Sequence, residues 1–223
     1  MARCKAPCLT RPPNERRRLV RNLPSVAFTA IAAIALASPL AAAQKNGTIA
    51  QDFKLTDVNG KTIQLSQFRG KTVILEWHNP GCPFVSKHYS SGNMQATQKA
   101  ARQQGAVWLT INSGAKGKQG HMTGAEAKAL IAKQDIQSTN YLFDTKGVVG
   151  KAYGARTTPH MYIIDGSGIL VYQGGIDDKP TANPADIKRA RNHVLAALGE
   201  IKSGDKVSVA QSRPYGCSVK YAS

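Results

Sequence analysis

The stretch that decides the fold runs from Thr72 to Tyr89 and reads TVILEWHNPGCPFVSKHY. Its first part, Thr72 to Trp77, is short, mostly apolar and β-branched, as a strand buried on both faces should be. The pattern breaks at HNPGCP, where Pro80-Gly81 marks a turn. A helical stretch is predicted from Phe84 to about Gln104, with Cys82-Pro83 opening it. Proline is well tolerated there because its missing N–H would have no partner in a first turn. Cys82 therefore falls at a helix N-terminus, where free backbone N–H groups and the helix dipole stabilise an anion. A thiolate so held has a lowered pKa and becomes a nucleophile. The plainer reading, a small buried cysteine serving as a hydrophobe, suits a mid-strand position better. Lys87 and His88, one to two turns on, are expected to add positive potential.

Outward from this centre the patterns alternate between strand and helix. Phe53 to Leu55 and Lys61 to Leu65 flank TDVNG, where Asn59-Gly60 is a hairpin signal. Val107 to Ile111 reads as a second buried strand. Thr123 and Glu126 have capping-box spacing ahead of Ala127, Leu130 and Ile131, so a helix begins there. Tyr141 to Phe143 is predicted as a short strand and Val148 to Tyr153 as a short helix. Met161 to Ile164 and Ile169 to Tyr172 read as strands joined by DGSG. Asp186 to Leu198 carries Ile187, Ala190, Val194 and Leu198 at helical spacing. Beyond Asp205 the chain is polar and ends QSRPYGCSVKYAS. Such alternation indicates an α/β layer structure: a central mixed sheet flanked by helices, with an N-terminal hairpin and an extended C-terminal tail.

The first 43 residues are read apart from the fold. Arg16, Arg17, Arg18 and Arg21 precede an apolar, Ala-rich run from Val26 to Leu40, and Ala41-Ala42-Ala43 fits a small-residue cleavage site. That order of parts predicts a cleaved signal peptide over 1–43 and a periplasmic or secreted location. The apolar run is shorter than the roughly 20 residues of a spanning helix, so no stable membrane insertion is expected after cleavage. A domain over 44–200 and a tail over 201–223 follow. The formal charge is +17, of which the leader's seven basic residues and Glu15 account for +6, leaving +11 on the remainder. A basic surface favours acidic partners or anionic surfaces, but no aromatic-interleaved basic motif or zinc-finger spacing points to nucleic acid. Common hydrolase and phosphate-binding strings are missing as well.

From about Asn46 to Leu198 the chain resembles the thioredoxin-like redoxin group, the broad alkyl hydroperoxide reductase/thiol-specific antioxidant relatives. Three segments carry the resemblance: DFKLTDVNGKTIQLSQFRGKTVILEW, the turn PGCP, and YGARTTPHMYIIDGSG. The resemblance implies a thioredoxin-like fold in which Pro159 is cis and faces Cys82, with Thr158 presenting its backbone to a bound partner. Trp77 and His160 are expected to shape the pocket. The chain also departs from the group. The second cysteine of thioredoxin is replaced by Val85, which excludes local Cys-x-x-Cys chemistry. Asn79 and Leu75 stand where peroxiredoxins carry a Thr or Ser and a proline, and Arg156 lies near the position of their catalytic arginine.

With Cys4 and Cys8 in the leader, two thiols remain, Cys82 and Cys217. Two cysteines in an oxidising compartment allow one intramolecular pairing. Cys217 sits in a tail with Pro214 and Gly216, a context expected to be mobile enough to reach a site. It is the candidate resolving thiol, against the alternatives of a permanent structural disulfide or no bond. His78, His88, His121, His160 and His193 show no metal-ligand spacing, so no metal and no organic cofactor are expected. The favoured reading is a thiol–disulfide oxidoreductase acting on a thiol- or disulfide-containing protein, with electrons from an external thiol donor. A thiol peroxidase reducing small hydroperoxides is the second, and a non-catalytic thioredoxin-fold binding module the third.

Overall fold

A computed structural model of the chain describes residues 43–222. The predicted signal peptide, apart from Ala43, lies outside the described residues. The fold is built on seven strands: β1 (Lys54–Asp57), β2 (Thr62–Gln64), β3 (Val73–Trp77), β4 (Val107–Asn112), β5 (Asn140–Phe143), β7 (His160–Ile164) and β8 (Leu170–Gly174). They form one sheet in the order β2-β1-β5-β4-β3-β7-β8. β3, β4 and β5 run parallel, while β7 pairs antiparallel with β3 and β1 antiparallel with β5. The sheet is therefore mixed. Every residue of β3, β4 and β7 is buried, which is why their sequences read as near-continuous apolar runs instead of alternating ones.

Helices cover both faces. Because strand side chains alternate, Ile74 of β3 packs with Trp108, Met161 and Ile163 toward α1 (Pro83–Ser90), α2 (Asn93–Gln103), α3 (Gly124–Gln134) and α5 (His193–Lys202). Val73, Leu75 and Trp77 face the other way, toward Val149 and Tyr153 of α4 (Val148–Tyr153) and toward Phe53 and Ile63 at the hairpin. Each layer carries large aromatic side chains. A fully buried one contributes on the order of 1.5–3 kcal/mol of transfer free energy.

Most expected elements are present, and the Thr123–Glu126 capping box forms: Thr123 Oγ1 accepts from the Glu126 N–H, and Glu126 accepts from the Thr123 N–H at 2.7 Å. Two long helices expected from the sequence are each broken. The Phe84–Gln104 stretch divides at Ser91-Gly92, where Gly92 takes φ +74°, a conformation that ends α1 and starts α2 in a new direction. The Asp186–Leu198 stretch begins as a 3-10 turn at Pro184–Arg189. The α5 helix starts afresh at His193, where the Asn192 side chain caps the Leu195 N–H at 3.0 Å.

The tail is not a loose end. Ser212 N–H donates to Gln173 O at 3.1 Å, Val219 N–H to Arg156 O at 3.0 Å, and Ala115 N–H to Lys220 O at 2.9 Å. Between these ties, β9 (Cys217–Ser218) pairs antiparallel with β6 (Thr157–Thr158). The expectation of a mobile tail is corrected. Its backbone groups are satisfied by distant backbone, a pattern that local composition does not reveal.

Candidate active site

The turn after β3 positions Cys82 through local backbone and side-chain hydrogen bonds. Asn79 Oδ1 accepts from the Gly81 N–H at 2.9 Å, and Asn79 O accepts from the Cys82 N–H at 3.1 Å. Gln119 braces the turn from outside, its Nε2 donating to Gly81 O at 2.9 Å. Cys82 is the N-cap residue of α1, with Pro83 in the first helical position. Its side chain is 1% exposed. Across it lies the Thr158–Pro159 peptide bond, which is cis, and the Cys82 Sγ is 3.0 Å from Thr158 O.

Two sets of forces act on this sulfur. Burial pushes the thiol up, but hydrogen bonds from the Thr158 hydroxyl, the Cys217 N–H and thiol, and the Val85 N–H outweigh it and hold Cys82 below the ordinary cysteine value. The Val85 N–H is one of the unpaired donors of a helix start. Cys217 shows the opposite behaviour: burial, its hydrogen bond to Cys82 and the Cys82 charge push it up to about 11, against a weaker pull from Lys220. Both are free thiols in this structure.

The strand pairing brings the two thiols together. In β6–β9, Thr157 lies opposite Ser218 and Thr158 opposite Cys217. The approach is close enough that Gly216, at φ +125°, has no room for a side chain; a Cβ there would sit 2.1 Å from Thr158 O. A cleft of about 600 Å³ opens beside this pair, walled by Phe84, Pro180, Pro214 and Tyr215.

The residues before Cys217 are held from beneath by a buried polar cluster. Tyr215 donates its hydroxyl to Asp177 Oδ1. Lys87 Nζ lies 3.4 Å from Asp177 Oδ2 and donates to Lys179 O at 2.7 Å. His88 joins them: Asn93 Nδ2 donates to its Nδ1 at 2.8 Å, so in the neutral ring Nε2 carries the hydrogen and donates to Tyr215 Oη at 3.1 Å. Burial pushes His88 down to about 4, with Asp177 pulling it up and Lys87 down. The Lys87–Asp177 pair is fully enclosed, and removing one partner from such a pair typically costs about 3–5 kcal/mol.

A second buried carboxyl, Glu76, lies under the same helix. It accepts from Tyr89 Oη at 2.9 Å, Gln98 Nε2 at 3.1 Å, Trp108 Nε1 at 2.8 Å and Thr110 Oγ1 at 3.0 Å. Burial pushes its carboxyl up against the lowering effect of those donors. The sequence does carry one signal for it, a single acid inside the apolar run VILEW. Nothing local signals the Asp177–Tyr215 pair, whose members lie 38 residues apart.

The structure brings Cys82, Thr158, Pro159 and Cys217 together and leaves the other expected pocket residues elsewhere. Trp77 is fully buried on the α4 face, with its ring 5.8 Å from Tyr153 and 5.1 Å from Tyr162. It does not shape a pocket at Cys82, because alternation along β3 turns it away from the α1 layer. His160 shares that face: its ring lies tilted against Tyr162 with centroids 4.6 Å apart, and its Nδ1 accepts from the Arg156 N–H at 3.3 Å. Burial and Arg156 push it down to about 3. Lys87 and His88 are engaged with Asp177 and Tyr215. Arg156 contributes backbone to the site by accepting from the Val219 N–H.

Comparison with known proteins bears on the fold and the family. The AhpC/TSA family model matches residues 46–173. Among curated proteins, a chloroplastic peroxiredoxin Q of Triticum aestivum is 27% identical over 200 residues, spanning 72% of this chain and 91% of that one. Among solved structures, a hypothetical protein of Sinorhizobium meliloti superposes with a TM-score of 0.67 at 26% identity, covering 82% of this chain and 97% of the other. A protein of Chlorobium tepidum assigned as the thiol:disulfide interchange protein DsbE superposes at 0.51 with 24% identity, covering 70% and 99%. The mixed sheet with helices on both faces is thus the thioredoxin-like fold. With a matched region that begins ahead of the hairpin and ends in β8, this chain belongs to the AhpC/TSA family of thiol oxidoreductases and peroxidases.

Proposed function

We propose that the protein is an exported thiol–disulfide oxidoreductase in which Cys82 is the attacking thiolate and Cys217 the resolving thiol. In this reading Cys82 attacks an oxidised bond of a partner, Cys217 displaces the partner, and an external thiol donor reduces the resulting disulfide. The observation that carries it is the pairing of Thr158 with Cys217 across β6–β9, which leaves the two sulfurs interacting and their pKa values shifted in opposite directions. Opposite shifts suit the chemistry. The lower-pKa sulfur is both the larger thiolate population and the better leaving group when the disulfide is reduced. Export is supported by the basic and apolar leader before Gln44. Among the described residues no helix is long and apolar enough to cross a membrane.

One observation favours a thiol peroxidase as the second reading. With the tail seated, Cys82 is 1% exposed, which admits a small oxidant more readily than a folded partner. Single-turnover oxidation of the reduced protein by hydrogen peroxide and by a disulfide substrate separates the two. Fast disulfide exchange with sluggish peroxide reaction supports the first. Peroxide rates far above those of a free thiol, with inert disulfides, reverse the order. Peptide mapping of the oxidised, non-reduced protein tests the shared step, and both readings require a peptide linking Cys82 to Cys217.

A further inference from the structure

Closure of a Cys82–Cys217 bond needs more than a nearby thiol. The tail must hold Cys217 in line with the bond that breaks, and reaction rates are sensitive to misplacement on the scale of 1 Å. The residue two before Cys217 is Tyr215, which is enclosed and makes contact on three sides. Its hydroxyl donates to Asp177 and accepts from His88 Nε2 at 3.1 Å. Its ring meets Phe84 edge to face at 6.0 Å and lies under Lys87 Nζ at 5.4 Å. Phe84, Lys87 and His88 all belong to α1, the helix capped by Cys82. The helix that presents the nucleophile therefore also grips the tail. The intervening Gly216 gives the chain the close approach to Thr158 that the geometry requires.

We propose that Tyr215, fixed by Asp177 and His88, is the positioning residue for closure of the Cys82–Cys217 disulfide. This rests on the reading of Cys217 as the resolving thiol. The step it serves begins with Cys82 joined to a partner sulfur as a mixed disulfide. The Cys217 sulfur attacks the Cys82 sulfur, the bond between Cys82 and the partner breaks, and the partner leaves as a thiolate with the electron pair. That thiolate takes up one proton, matching the one released by the Cys217 thiol. Cys82 and Cys217 together are oxidised by two electrons, and the partner disulfide is reduced by two. Tyr215 touches neither sulfur in this scheme. Its part is to keep β9 seated on β6 while the exchange proceeds.

The test uses the protein with free Cys82 and Cys217 and a small neutral disulfide, bis(2-hydroxyethyl) disulfide, supplied at one equivalent. Acid quenching and intact mass spectrometry follow mixed disulfide and internal disulfide through time, giving a rate constant for each step. In Tyr215→Phe, which keeps the ring and removes the hydroxyl, the ratio of the closure rate to the first-step rate should fall by about tenfold or more. His88→Gln, which removes the imidazole donor to the Tyr215 hydroxyl and leaves the Lys87–Asp177 pair in place, should move the ratio in the same direction, and it decides the matter should Tyr215→Phe fail to fold. A merely structural role predicts a lower melting temperature with the ratio unchanged, and that result in the folded variants overturns the proposal. Absence of an internal disulfide in the unsubstituted protein removes the resolving role itself, and the positioning role with it. An intact wild-type closure with an unaltered ratio in the variants removes only the positioning role.

Discussion

Cys82 and Cys217 meet in one site, yet they are held there by different kinds of structure. Cys82 is set by its neighbours in sequence: β3 ends, the Asn79 side chain and carbonyl tie the turn, and Pro83 opens α1. Cys217 is set by contacts with residues far back in the chain: Thr158 opposite it, Arg156 beyond it, and Asp177 holding Tyr215 just before it. The first sulfur is lowered in pKa and enclosed, whereas the second is raised and half-buried. The difference teaches that Cys82, the nucleophile in the proposed reading, belongs to the fold's frame, and that Cys217 belongs to a short strand paired onto it.

Three substitutions break or sharpen that contrast. The largest effect is expected from Cys217→Ser. Cys82 should still react once with an oxidant but should then stall as a mixed disulfide or oxidised thiol. Turnover should drop by roughly a hundredfold once the intramolecular attack is lost, measured with excess external thiol in a steady-state assay. Unchanged turnover would mean that the tail thiol has no part in the cycle. Gly216→Ala should come next. Its new Cβ meets Thr158 O in a backbone conformation that favours glycine, a strain on the order of 1–3 kcal/mol. The tail should lift from β6, and Cys82 should be alkylated faster by iodoacetamide than in the unsubstituted protein. Equal alkylation rates would show that β9 does not cover the sulfur. The smallest effect is expected from Thr123→Ala, at an exposed cap that, among the described residues, makes no hydrogen bond to the tail. It should lower stability in urea by about 1 kcal/mol while leaving alkylation at Cys82 as it was.

The same contrast explains what could be read from the sequence. The β3 run, the turn and the Cys82-Pro83 helix start were legible because composition, turn residues and capping rules all act over a few residues. The hairpin at Asn59-Gly60 and the capping box at Thr123 were legible for the same reason. Pattern alone failed where one residue overrides it. Gly92 and Asn192 each restart a helix inside a stretch whose spacing suits a continuous one. Trp77 was misassigned to the pocket because it neighbours the turn in sequence, although strand alternation puts it on the opposite face from Glu76. The seat of the tail was illegible. Its hydrogen bonds reach Gln173, Arg156 and Ala115, and no local rule links those positions to Ser212, Val219 and Lys220. Lys87 and His88, expected to add positive potential near Cys82, also contact Asp177 and Tyr215 beneath the tail, which their spacing on α1 does not reveal.

The account depends on the two sulfurs being unequal in the intact protein. Mass spectrometry of alkylation at each cysteine across a pH series, in one reduced sample, measures both titrations together. Cys82 should reach half-maximal reactivity below the ordinary cysteine value, and Cys217 well above it, near 11. Matching midpoints, or Cys217 titrating at the lower pH, would contradict the assignment of nucleophile and resolving thiol.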